Sequence, residues 1–220
     1  LAVSGGVDSM VMLDLFRQTP FEIAVAHCNF QLRDEASNTD EEFVKAFCNQ
    51  HQVPFYSKKF STQAYSNEHG ISIQMAAREL RYAWFDEVLR DLNFDLIATA
   101  HHQNDSIETV LLNIARGTGL DGLTGIPERN GKIIRPLLSF TKKSIEAYTK
   151  NHSIKWRADV SNESDYYDRN FIRQHVVPLL KKLNPAFEHG YQATNERLLG
   201  AQDLVTMQIA HLKNQLIAVD

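Results

Sequence analysis

The sequence predicts an α/β fold: an open, mostly parallel sheet flanked by helices, followed by a C-terminal helical extension. Three observations carry this. Through the first hundred residues short apolar runs alternate with longer amphipathic segments, the rhythm of parallel strands joined by helical crossovers. The strand-like start runs through "SGGVDS" directly into a helical pattern. From Asn170 onward the pattern is helical, interrupted at Pro178 and Pro185, with no strand alternation.

Each element follows in order. Leu1 to Val3 forms the first strand, and the chain turns through Ser4, Gly5 and Gly6 into a helix expected over Ser9 to Arg17. "EIAVAH" at Glu22 to His27 is the next strand. "TDEEFVKAFCNQHQ" has acids at its start and Phe43, Phe47 and Cys48 on one side, so it reads as a helix leading into a strand at "PFYSKKF". A helix over Ile73 to Leu92 leads into "LIATAH" at Leu96 to His101. Another, over Asp105 to Arg116, precedes the Gly-rich "GTGLDGLTG" and a strand at "KIIRPLL". Thr141 is placed to cap a helix over Lys142 to Asn151. "RADVSNESDYYDRN" has the Ser, Asn and Asp density of a surface loop. The expected organisation is a main domain over residues 1–185 and a helical extension over 186–220, a linker to a further C-terminal domain.

Composition narrows the class. A chain of 220 residues, 43% hydrophobic and 23% charged, buries a sizeable core. No run approaches eighteen apolar residues and no signal-peptide pattern opens the chain, so the expected location is the cytoplasm, with no membrane partner. A formal charge of −4 gives no whole-chain nucleic-acid signature. The stretch from Lys142 to Lys182 is locally basic, which fits either phosphate contacts or solvated helix faces. Cys28 and Cys48 form no CxxC pair and no Cys/His metal spacing, so both are expected reduced in apolar surroundings.

The opening turn is where chemistry is expected. A strand ending in Ser4, Gly5, Gly6 and entering a helix through Val7, Asp8 and Ser9 gathers free N–H groups and a positive dipole end at one point, an anion site. The glycines admit close approach, Ser4 and Ser9 offer hydroxyls, and Asp8 suits a metal ion bridging phosphate oxygens. The same residues also serve an ordinary strand-to-helix turn. A Walker A loop is excluded, since it requires a lysine that "SGGVDS" lacks. In "HHQNDSIET" a polar run stands where a strand ends and a helix begins, the edge at which ligands collect in open parallel sheets. Asp105 and Glu108, three apart, share a helical face and suit an ammonium or magnesium ion, or are simply first-turn acids. His101 and His102 are not read as zinc ligands, because neighbouring strand positions face opposite sides. Arg78 and Arg81 lie on one helical face.

SGGxDS after a first strand resembles the phosphate loop of the PP-loop ATP pyrophosphatase superfamily. "AHCNFQLR", "QMAARELRYAWF", "ATAHHQNDSIETVLLNIARGTGLDGL", "IIRPLL" and "DVSNESDYYDRNFIRQHVVPLL", in this order and spacing, further resemble the tRNA(Ile)-lysidine synthetase family over residues 1–185. The resemblance implies the adenine nucleotide alpha hydrolase-like fold and two cofactors, ATP and magnesium. It implies an isoleucine tRNA with a CAU anticodon and free lysine as partners. The wobble cytidine's carbon-2 oxygen is adenylated with release of pyrophosphate, and lysine's ε-amine then displaces AMP. It implies that Ser4, Gly5, Gly6, Val7, Asp8 and Ser9 hold ATP, and that Asp8, Arg78 and Asp105 are catalytic, with Asp8 and Asp105 the magnesium ligands. His101, Asp105, Glu108, Asn170 and Arg173 are expected to bind substrate. The chain departs from the family pattern at Asn29 and Phe30, where an acid and a second histidine are common, and at Asn104, where a second aspartate is. A tRNA thiolation enzyme of the same superfamily and a non-catalytic nucleotide sensor are the alternatives.

Overall fold

The computed structural model describes residues 1–157 and 167–217. They group into two compact units, one of Leu1–His102 with Glu128–Asp165, the other of Gln103–Pro127 with Tyr166–Asp220. The units do not part at residue 185; each is built from two stretches of chain.

In the first unit, Leu1–Val3 forms the middle of a parallel sheet. The amide of Ala2 donates to the Ala98 carbonyl on one side, and on the other Val3 and Ala26 exchange bonds with the carbonyls of Ala26 and Leu1. Beyond Ala26 lie β1 (Val25–Asn29) and its parallel neighbour β2 (Phe55–Lys59). Beyond Ala98 lies β3 (Ile97–Ala98). β3 pairs in parallel with β5 (Ile133–Ile134), which closes an antiparallel hairpin with β4 (Arg129–Asn130). The order is therefore β2, β1, the opening segment, β3, β5, β4, with only the last strand antiparallel.

Helices supply the crossovers. α1 (Val7–Phe16) has Met10, Val11, Met12 and Leu13 on successive sides at most 1% exposed, so most of its surface lies within the core, with Asp8 and Asp14 in ion pairs at its margins. α2 (Asp34–Gln50) buries Val44 and Cys48 against Val3, Leu13 and Val25. α3 (Thr62–His69) stops at Gly70, which takes the left-handed conformation of a helix C-terminus. α4 (Ile73–Asp91) starts from Ser72, whose hydroxyl accepts from the Met75 amide, and packs Trp84, Phe85 and Leu89 under β1 and β3. α7 (Lys142–Asn151) starts at Thr141, as its cap predicts, with the hydroxyl accepting from Ser144.

In the second unit α5 (Gln103–Arg116) is followed by the short α6 (Leu120–Leu123), α8 (Tyr167–Phe171), a wide π turn over Ile172–Val176, α9 (Val177–Leu183) and α10 (Phe187–Ile217). Ile107, Ile172 and Val177 form its core with Leu111, Leu112, Phe187 and Tyr191 around them. The expected loop over residues 157–170 is helical from Tyr167 on, and its middle, residues 158–166, lies outside the described residues. The expected strand at "KIIRPLL" is confined to two residues, and α3 and β4 were not read from the sequence. No helix among the described residues is long and apolar enough to cross a membrane.

Candidate active site

The turn from Ser4 to Ser9 has the geometry its glycines predict. Gly5 sits at φ +94°, where a side chain is strained, and a Cβ there would approach Val44 Cγ2 to 3.3 Å. Gly6 is the N-cap of α1 and no side chain caps the first-turn amides, while the Gly6 amide itself donates to the Ser4 hydroxyl at 3.3 Å. The two serines play different parts. Ser9, nearly buried, donates to the Gly6 carbonyl at 2.9 Å and accepts from the Ser4 amide at 3.2 Å. Its hydroxyl shapes the turn instead of projecting from it, whereas Ser4 is exposed. Val7 contributes backbone only, since its side chain packs against Val11, Met12, Ala98 and Leu137.

Asp8 does not stand alone in the turn. Lys142 Nζ donates to both its carboxylate oxygens, at 2.7 and 2.9 Å, and His102 Nε2 lies 3.8 Å away. Lys142 is the partner of Asp8 that sequence reasoning missed. Charge alone placed it in a basic stretch, and the signal that would have found it is a lysine opening a capped helix right after "RPLLSFT". A second tether holds the turn from the other side. The Arg157 amide donates to the Gly5 carbonyl at 3.0 Å, and its guanidinium meets Asp40 at 2.5 Å. Asp40 also accepts from Arg33 at 3.0 Å.

The strand ends near this turn are polar but structural. His27 is buried, and its Nδ1 donates to the Val3 carbonyl at 2.8 Å. Burial pushes His27 below its ordinary range, with the Val3 bond and the charges of Glu41 and Asp40 offsetting part of that. Asn29 is also buried. Its Nδ2 donates to Glu41 at 2.8 Å and its Oδ1 accepts from the Gln31 amide, so it fastens β1 to α2. Phe30 stacks on Phe60. Both positions that depart from the family pattern are thus filled by packing and hydrogen bonding. His101 Nδ1 bonds the Thr99 hydroxyl at 3.0 Å, and Arg78, exposed on α4, lies over the Tyr82 ring. Burial drives the thiols of Cys28 and Cys48 up to about 12 and about 11, with Arg81 and Lys58 opposing at Cys28, so neither is a poised thiolate.

In the second unit Asp105 and Glu108 share one face of α5, as their spacing predicts, and that face is met by arginines. Arg173 grips Glu108 with two parallel bonds, Nε to Oε1 at 2.7 Å and a terminal nitrogen to Oε2 at 2.9 Å, and passes 3.6 Å from Asp105. Arg169 Nε lies 3.2 Å from Glu108, and its terminal nitrogen donates to Thr109 and to the Asp105 carbonyl. Glu108 is 2% exposed, so it is the buried anchor of this cluster rather than an open acceptor. The π turn carries Arg173 and ends two residues before Pro178, whose ring displaces the carbonyl four residues back and widens the helix there. Asn170 lies on α8, one residue from Arg169. Asn104, where a second aspartate is common, reaches Glu188 at 3.4 Å. Gly125, closing "GTGLDGLTG", is required by close approach: a Cβ would stand 2.3 Å from the Ser106 hydroxyl, which bonds Tyr191 and the Ile126 amide.

Comparison with known proteins accords with this geometry. The chain is 45% identical over 201 residues to a tRNA(Ile)-lysidine synthase of Porphyromonas gingivalis, covering 91% of this chain and 44% of that protein. It is 40% identical over 220 residues to one of Parabacteroides distasonis, covering 100% and 50%, and 44% identical to one of Chlorobaculum tepidum, covering 90% and 60%. The chain therefore spans about half the length of the curated relatives it matches. Among solved structures, the U34-tRNA thiolase NcsA of Methanococcus maripaludis shares the fold, with a TM-score of 0.71 at 19% identity over 90% of this chain and 70% of that one. The model of the PP-loop domain matches residues 1–180, so this chain belongs to the PP-loop domain family.

Proposed function

We propose that this chain is the ATP-activating part of a tRNA(Ile)-lysidine synthase acting in the cytoplasm. The observation that carries the reading is 40–45% identity over nearly the whole chain to proteins so named, in a chain whose Ser4–Ser9 turn leads into an uncapped helix N-terminus. The wobble cytidine of a CAU-anticodon isoleucine tRNA attacks the α-phosphorus of ATP through its carbon-2 oxygen, and pyrophosphate leaves. The ε-amine of free lysine then attacks carbon 2, AMP departs with the oxygen, and the amine loses a proton.

Each residue has a role in this reading. The amides of Gly6, Val7, Asp8 and Ser9 and the Ser4 hydroxyl hold the leaving pyrophosphate, where preorganised donors act on developing charge. Arg78, projecting from α4, steadies phosphate of ATP or tRNA, and His101 lines the substrate side of the strand end. Asp105, the more accessible of the two acids, binds lysine's ammonium, with Glu108 behind it gripping Arg173 and Asn170 nearby on α8. Magnesium would be held by phosphate oxygens and water plus a carboxylate, for which this reading assigns Asp8 in the first unit and Asp105 in the second, and it would neutralise phosphate charge. A thiolation enzyme is disfavoured by two cysteines without CxxC spacing, both with thiols held protonated.

The test mixes the chain with ATP, free lysine and a CAU-anticodon transcript. Production of AMP and pyrophosphate with lysine joined to the tRNA is the expected result. ATP bound but never cleaved identifies the sensor instead, and sulfur joined to the tRNA in a parallel mixture with a sulfide donor in place of lysine identifies the thiolation enzyme.

A further inference from the structure

A peptide bond between two glycines turns over more easily than most, because no Cβ restricts the backbone on either side of it. Gly5–Gly6 is such a bond, and its orientation decides what the Ser4–Ser9 turn offers. In a planar trans peptide the N–H and the C=O point in opposite directions. Here the Gly5 carbonyl accepts from the Arg157 amide at 3.0 Å, and the Gly6 N–H, on the opposite edge, reaches the exposed Ser4 hydroxyl at 3.3 Å. Turned over, the bond would set a carbonyl oxygen beside the first amides of α1, where it would repel an anion. What selects the orientation comes from outside the turn. Arg157 is itself held: its Nε meets one oxygen of Asp40 at 2.5 Å, and the other oxygen accepts from Arg33 at 3.0 Å. Asp40 stands on α2 with its side chain 15% exposed, and its backbone carbonyl lies 3.9 Å from where a Gly5 Cβ would be. One carboxylate thus joins the turn after the opening strand, the loop after β1 and the stretch after α7, all within the first unit.

We propose that Asp40 is a positioning residue: by holding Arg157 it fixes the Gly5–Gly6 peptide with its carbonyl inward and its N–H outward, and so keeps the turn in the form that accepts an anion. The consequence for binding rests on the reading of that turn as the pyrophosphate site. Asp40 acts through the Arg157 backbone and touches no ligand. A carboxylate that merely pinned α2 to its neighbours would leave the orientation of the glycine peptide unaffected, which separates the two roles by measurement.

The Gly6 amide resonance is followed by proton–nitrogen NMR of the 220-residue chain, and inorganic pyrophosphate is titrated in calorimetrically, for the wild type, Asp40→Asn, Arg157→Met and the double variant. Both single variants are expected to shift or split the Gly6 resonance while Gly131, between β4 and β5, stays in place. They are also expected to weaken pyrophosphate binding about tenfold, and the double variant no further than either, because each breaks the same link. Arg157→Lys keeps a cation for Asp40 and should stay within about threefold of the wild type, with Gly6 unmoved. A Gly6 resonance that does not move in folded Asp40→Asn or Arg157→Met overturns the proposal. So do penalties that add in the double variant, or single variants that bind as tightly as the wild type. If the wild type binds no pyrophosphate, the reading of the turn fails instead, and the Gly6 resonance alone decides the positioning role.

Discussion

Gly5 and Gly6 are adjacent yet answer to different constraints, and substitution separates them. Gly5 is at φ +94° with Val44 close by, so Gly5→Ala is expected to cost about 1 kcal/mol or more in stability, read as a lowered melting temperature. A Cβ on Gly6 would meet nothing nearer than the Ser4 hydroxyl at 3.5 Å, so Gly6→Ala folds normally. Its effect, and the larger one of Gly6→Val, falls on pyrophosphate binding and release. Retained pyrophosphate affinity in a folded Gly6→Val chain would remove the turn from the mechanism. His27 makes a pH prediction. Its folded pKa lies below the ordinary 6.5, so its contribution to stability is complete above that value. As the pH falls from there toward the folded value, the unfolded chain takes up the proton first and stability declines. His27→Asn keeps a donor for the Val3 carbonyl and should flatten that decline in denaturant titrations. Cys28 works in the opposite range. Its thiol, ordinarily near 9.0 and held at about 12, contributes stability that is full below pH 9.0 and lost as the pH rises toward 12. Thiol reagents at neutral pH should accordingly label Cys28 and Cys48 only as the chain unfolds.

At the scale of elements, α5 and the α8 to α9 segment are joined by the carboxylate and guanidinium cluster on Glu108. Breaking a buried pair costs roughly 3 to 5 kcal/mol. Arg173 is 43% exposed, so Glu108→Gln is expected at the lower end or beneath it, about 2 kcal/mol, measured by denaturant unfolding. If Glu108 also serves lysine, the same variant raises the lysine requirement more than the ATP requirement; an unchanged ratio leaves it an anchor only. Pro178→Ala restores an amide donor and is expected to tighten the π turn, drawing Arg173 off Glu108 while the helix itself becomes more stable. The elements that were legible in the sequence announced themselves locally. Thr141 and the apolar spacing of α7, or the acids at the start of α2, are signals within a few residues of the structure they specify. α3 was missed because "TQAYSNEH" has no apolar stripe, and the strand at Ile133–Ile134 is shorter than its apolar run because Pro136 follows at once. Of the candidate site, the strand-to-helix turn at Ser4 to Ser9 and the shared face of Asp105 and Glu108 were legible, because motif and backbone coincide there. It was illegible where a partner arrives from far along the chain: Lys142 on Asp8 and Arg173 on Glu108 are separated by 134 and 65 residues.

The whole molecule inherits one property from its first three residues. Leu1–Val3 occupies the centre of the sheet, between Ala26 on one side and Ala98 on the other, so one of its partners emerges almost a hundred residues after it. Helices α1, α2 and α4 can form as they appear, because their contacts are local, whereas the sheet closes only on Ile97–Thr99 and then on β5. Until that point the apolar flank of the opening strand stays uncovered and the Ser4–Ser9 turn has only half its support, since its Arg157 tether comes later still. Stalled nascent chains ending before Leu96 should therefore remain open to protease throughout, with protection appearing in one step once the segment through Arg157 is free of the ribosome. Gradual protection with increasing length would show instead that the opening strand is stabilised by Ala26 alone. The Ser4–Ser9 turn, though it leads into the first helix described in the first unit, is on this view among the last parts of that unit to take its final shape.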